Sequence, residues 1–130
     1  MTTPEEMRKR IIDVGEQVLG AAYVVLNTLG AGFVEKVYEN ALAWELRRMG
    51  LNVEQQHPVA VYYEGVVVGE FTADLVVENL VIVELKAAKA LDDVHMAQCI
   101  NYLKATGMKL CLLLNFGKTK LEERRVVRGL

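Results

Sequence analysis

The sequence predicts a mixed α/β domain in which two helices precede three strands, a third helix and two more strands. Three observations predict it. Apolar residues recur at helical spacing through the first quarter of the chain, β-branched runs take over from Leu51, and a helical segment between Lys86 and Met108 separates two short, strongly apolar runs. A helical crossover of that length allows its flanking strands to lie parallel, so the sheet is expected to be mixed, with helices against it.

Thr3-Pro4-Glu5-Glu6 has the form of a capping box with proline at the first helical position, and Met7, Ile11, Val14, Val18, Ala22 and Val25 follow on one face. Helix one is expected to reach about Thr28, where Gly30-Ala31-Gly32 breaks it. A second helix runs from about Val34 to Met49 and stops at Gly50. Leu51 to Tyr63 reads as a strand that Pro58 interrupts with a bulge or confines to an edge. Glu64-Gly65 turns it into a long strand, Val66 to about Val77, and a turn near Glu78-Asn79 leads to Leu80–Leu85, apolar enough to be central in the sheet. Asp92-Asp93 suits the first turn of a helix that continues to Thr106 and is capped by Gly107. Met108–Leu114 and Leu121–Val127 are the last strands.

A length of 130 residues fits a single domain, expected to be continuous over 1–130 because no repeat or linker divides it. With 52% apolar and 25% charged residues the chain can bury a core, which excludes disorder. No run approaches the roughly 20 apolar residues that span a bilayer, and MTTPEEMRKR lacks the apolar stretch of a signal peptide, so a cytoplasmic protein without membrane partners is expected. Cys99 and Cys111 then read as buried thiols. A net charge of −2 and a pI of about 5.7 exclude nucleic-acid binding by bulk charge. Any such contact must be local: Arg8 to Arg10, Arg47-Arg48, or the terminal run from Lys118 to Arg128.

The chemistry gathers where charged residues interrupt apolar strands, at Asp74 in FTADLVV and at Glu84 and Lys86 in VIVELKA. A carboxylate in such a strand must face solvent, pair with a cation or bind metal. An Asp, a turn and Glu-x-Lys on the next strand bring two carboxylates and one ammonium to one place on a hairpin. Oxygen ligands of this kind suit Mg²⁺ or Mn²⁺, while the lysine can orient water or neutralise charge on a phosphoryl group. Sharing a face requires paired residue numbers that add to an even value. A three-residue loop, Glu78 to Leu80 with Asn79 left-handed, meets that condition, whereas a two-residue loop would put Glu84 on the opposite face.

At these residues the sequence resembles the PD-(D/E)xK nuclease superfamily, with Asp74, Glu84 and Lys86 in the motif positions and Ala73 where the name has proline. More narrowly, Gly32, Glu35 and Tyr38 in GFVEKVYE, together with VHMAQCINYLKATG and LLLNFG, resemble the GxxExxY protein family. The resemblance implies a restriction-endonuclease-like core. It implies Asp74 and Glu84 as metal ligands, the carbonyl of Leu85 as a third, Lys86 as the catalytic lysine and Glu35 as a helical glutamate completing the acidic cluster. Glu35 and Tyr38, one helical step apart, are expected to look toward the sheet. Gln98 and Tyr102 match the QxxxY motif of the RecB-type branch, which lines the site and contacts nucleic acid. Together with His95 they are expected on a face opposite Met96, Cys99, Ile100 and Leu103.

The function expected is therefore a Mg²⁺- or Mn²⁺-dependent nuclease acting on DNA or RNA, on ends or single strands. A catalytically silent nuclease-fold module working with a partner is the alternative from another class, and a small-nucleotide phosphodiesterase is a third. A mean hydropathy of +0.19 raises a homodimer as a further expectation.

Overall fold

The computed structural model describes residues 1–130 and contains α1 (Pro4–Leu29), α2 (Glu35–Arg48), β1 (Val53–Tyr63), β2 (Val66–Val77), β3 (Val81–Lys86), α3 (Asp93–Thr106), β4 (Leu110–Asn115) and β5 (Glu122–Val127). The expected order is met, with boundaries shifted by one or two residues. Thr3 caps α1 by accepting from the Glu6 N–H, with Pro4 in the first turn where a missing N–H costs nothing.

The strands form one sheet in the order β1-β2-β3-β4-β5. Neighbours are antiparallel except β3 and β4, which run parallel because α3 carries the chain back across the sheet. With α1 and α2 on one face and α3 on the other, β3 and β4 are covered on both sides, which is why both are apolar almost throughout. β1 is an edge strand, where Pro58 removes no ladder bond that another strand needs.

The β2–β3 turn is the three-residue loop Glu78–Leu80, with both Glu78 and Asn79 left-handed, and Leu75, Val76 and Val77 pair with Val83, Ile82 and Val81. Residue numbers thus add to an even value, which places Asp74 level with Glu84. Glu78 fixes the turn: its carboxylate accepts from the Asn52 N–H at 2.6 Å and from Arg10 at 2.5 Å.

The strand faces do not simply alternate. In β2, Ala73 packs on the α3 side and Leu75, two residues on, packs on the α1–α2 side; in β1, Val59 and Val53 are divided in the same way. Both strands therefore change face, yet Gln55 still pairs with Leu75 and His57 with Ala73. At the change of face the facing residues Gln56 and Asp74 drop out of the ladder, and Gln56 takes a left-handed φ of 53°.

Candidate active site

The face change aims Asp74 along the sheet. Its Oδ2 accepts from the backbone N–H of Leu85 at 2.8 Å, while Glu84 Oε1 accepts from the N–H of Asp74 at 3.2 Å. Each carboxylate thus takes the place of a ladder carbonyl on the neighbouring strand, and the two acids are held together in the gap where β2 and β3 part. Burial first, and the Asp74 carboxylate second, push the Glu84 carboxyl up to about 9. The pair is short of positive charge.

Lys86 ends β3 with its backbone pinned by the Phe116 N–H, which donates to its carbonyl at 2.8 Å. Its Nζ donates to Gln98 Oε1 at 3.4 Å; Gln98 Nε2 donates to the Tyr102 hydroxyl at 2.9 Å, and that hydroxyl donates to the Thr72 carbonyl at 3.4 Å. Gln98 therefore joins the lysine at the end of β3 to the α3 tyrosine beside β2. Burial, and then the charge of Glu84, raise the Tyr102 pKa, so its hydroxyl stays protonated and able to donate.

The third side is α2, through Glu39 rather than Glu35. Glu39 is buried, and Gln56 Nε2 donates both to Glu39 Oε1 at 2.7 Å and to Asp74 Oδ1 at 3.4 Å. Gln55 and Lys36 donate to Glu39 Oε2 at 2.8 and 2.9 Å. Glu35, the first residue of α2, is exposed and hydrogen-bonded to none of the site residues.

A family model of the PD-(D/E)XK nuclease superfamily matches residues 12–127. The chain belongs to this superfamily. The narrower resemblance to the GxxExxY family is compatible with that membership. Two solved structures are similar to the chain: SSO0001, 17% identical, covering 74% of this chain and 51% of its own, with a TM-score of 0.55; and an alkaline exonuclease from Laribacter hongkongensis, 13% identical, covering 72% and 55%, with a TM-score of 0.54. At such identities the likeness is one of fold, and the chain spans about half the length of each. No curated protein matches it significantly in sequence.

Superfamily membership raises the question of a divalent cation, which PD-(D/E)XK nucleases generally need. No three His, Cys, Asp or Glu side chains converge on one point. Two carboxylates do, and a backbone oxygen joins them. The Leu85 N–H points at Asp74, and in an extended strand the carbonyl of the same residue points to the same edge, so the Leu85 oxygen also faces the acidic pair. An all-oxygen set with room left for water suits Mg²⁺ or Mn²⁺, and a buried carboxyl raised for want of a counter-charge is what a cation would relieve. The residues fit the group.

Three expected site residues are placed differently by the superfamily fold. Tyr38 is wholly buried and stacked on Phe116 at 4.8 Å; its hydroxyl donates to the Gly30 carbonyl and accepts from the Phe33 N–H, so it closes the α1–α2 connection and has no surface for a substrate. His95 completes the capping box of α3, its Nδ1 accepting from the Asp92 N–H while its own N–H donates to Asp92 Oδ1. Tyr102 does not lie opposite Cys99 and Leu103: three residues from one and adjacent to the other, it shares their buried face, and Ile100 is the exposed one. Cys99 and Cys111 are both free and buried.

The NFG segment, legible only as a turn, is a clamp. The Asn115 side chain accepts from the N–H groups of Ala88 and Gly117 and donates to the Ala88 carbonyl and to Glu122, which itself accepts from the Leu91 N–H. The loop after Lys86 is thereby fixed, and a Cβ at Gly117 would lie 2.4 Å from the Ala88 backbone.

Proposed function

We propose that the chain is a Mg²⁺- or Mn²⁺-dependent phosphodiesterase that hydrolyses single strands or ends of nucleic acid. The observation that carries this reading is the reciprocal Asp74–Glu84 pair at the splayed end of β2 and β3, with Lys86 on the same strand as Glu84. Asp74, Glu84 and the Leu85 carbonyl would hold the cation, which supplies a nucleophile of lowered pKa and draws charge from the phosphoryl oxygens. Gln98 holds the Lys86 ammonium beside the scissile phosphate, where it offsets the charge that develops as the bond to the leaving oxygen breaks. Gln56 and Glu39 orient Asp74 without touching substrate.

A silent binding module is the second reading, favoured by the absence of a third side-chain acid in the cluster. Incubation of single-stranded DNA, duplex DNA and RNA with the protein and Mn²⁺ separates the two. Cleavage by the parent and none by Asp74→Asn supports the enzyme. Equal cleavage by both removes the mechanism, and tight binding without cleavage by the parent favours the module.

A further inference from the structure

Beyond the acidic pair, a groove of about 560 Å³ lies between the β1–β2 hairpin and α3, lined by Val61, Tyr62, Phe71, Asn101, Lys104 and Ala105. We propose that this groove receives an unpaired base of a single-stranded nucleic acid whose phosphate lies at the acidic pair. The inference rests on the nuclease reading of that pair and names the substrate form it selects.

Continuity with the site is the first reason. Phe71 stacks on Tyr102 with ring centroids 4.4 Å apart and planes 17° from parallel. Tyr102 accepts from Gln98, and Gln98 accepts from Lys86. The groove therefore begins at the ring that backs the lysine's own partner. Asn101 and Ala105 lie three to seven residues beyond Gln98, roughly 5–10 Å along α3, a span covered by between one and three stacked nucleotides at about 3.4 Å each.

The lining is the second reason. Tyr62 is 66% exposed, a large aromatic held at the rim rather than buried. A planar ring entering the groove would extend the Tyr102–Phe71 stack, and every base has a face for such contact whatever its sequence. Asn101 supplies an amide that can both donate and accept toward a base edge, and Lys104 a cation for a neighbouring phosphate. Both side chains are exposed at the groove, free to turn toward a base edge or a phosphate. A paired duplex offers no free base face, so the groove favours single strands, and a local contact of this kind works in a chain with net charge −2.

Fluorescence anisotropy of a labelled single-stranded oligonucleotide, an abasic oligonucleotide of equal length and a blunt duplex, with Mn²⁺ on the Lys86→Met background, tests the groove without cleavage. The single strand should bind more tightly than the other two. Tyr62→Ala should weaken its binding by about tenfold or more while leaving the abasic strand's Kd unchanged, and Tyr62→Phe should restore binding. Equal binding of single strand and abasic strand, or no effect of Tyr62→Ala, overturns the proposal. So does sedimentation showing a dimer that Tyr62→Ala dissociates while single-strand affinity is kept, which would make the groove a contact between copies. Cleavage of the same single strand by the parent with Mn²⁺ reports on the acidic pair separately. Its absence would sink the nuclease reading even if the groove bound single strands as described.

Discussion

The two faces of the sheet are built from the same strands but to different ends. In β3, Val81, Val83 and Leu85 enter a cluster of 22 buried apolar residues under α1 and α2; Ile82 joins a cluster of ten under α3, and Glu84 and Lys86 continue that face to the strand's end. On the first face the contacts are apolar apart from the α2–β1 edge, where Glu39 meets Gln55 and Gln56, and the buried Tyr38 spends its hydroxyl on the backbone of the α1–α2 turn. On the second, a carboxylate, an ammonium, an amide and a phenol are linked between β3, α3 and β2. The difference teaches that stability and chemistry are separable here: the larger cluster can hold the fold, which leaves the smaller one free to keep two acids together at a cost.

Mutation of the larger cluster should break that comparison most visibly. Leu42 is fully buried on α2, and Leu42→Ala should lose about 2–5 kcal/mol of unfolding free energy in urea, while cleavage per folded molecule stays near the parent's. Loss of turnover without loss of stability would mean the two faces are not separable.

Lys86→Met should show the reverse pattern. Cleavage is expected to fall by about two powers of ten, roughly 2.7 kcal/mol, with little change in melting and Mn²⁺ binding retained in a calorimetric titration. Normal cleavage by this variant would remove the lysine from the chemistry.

Glu84→Gln sharpens the cost of the acidic pair. An unfolded Glu84 carboxyl ionises near 4.5 and the folded one near 9, so across that window the folded state carries the extra proton. Metal-free stability should therefore fall as pH rises from 4.5 to 9 and flatten above. Glu84→Gln should reduce that slope and gain about 1–3 kcal/mol at pH 8 but almost nothing at pH 4, read from denaturation at each pH. On the proposed reading, in which ionised Glu84 would hold the cation, Mn²⁺ binding to the parent should release a proton at pH 7 and tighten toward pH 9. An unchanged slope in the variant would assign the pH dependence to another group.

Tyr38→Phe carries the smallest effect. Leaving the Gly30 carbonyl and Phe33 N–H without their partner should cost about 1 kcal/mol, with kcat and KM unaltered. A rise in KM alone would return Tyr38 to substrate contact.

By itself the sequence determined the element order, because helical and alternating periods differ and Thr3, Asp92 and Gly107 mark helix ends wherever they occur. It also set the condition on which Asp74 and Glu84 could share a face, since a two-residue side-chain period requires an odd loop between them; that the loop is Glu78–Leu80 was settled by the structure. Tyr38 could be placed on the inner stripe of α2, but not told apart from a cleft residue: the Phe116 ring that covers it is far along the chain.

Other features were decided only by tertiary structure. Glu39 was chosen over Glu35 because Glu35 is the first residue of α2, where no neighbour covers it, while Glu39 meets Gln55 and Gln56, 16 and 17 residues away. No local pattern announces such a contact. The face change at Gln56 and Asp74 is equally silent, since both strands shift together and the register on either side is kept. Asn115 and Gly117 read as an ordinary turn because what they hold, the Ala88 backbone, lies 27 residues from Asn115 and comes within reach only once α3 has crossed the sheet.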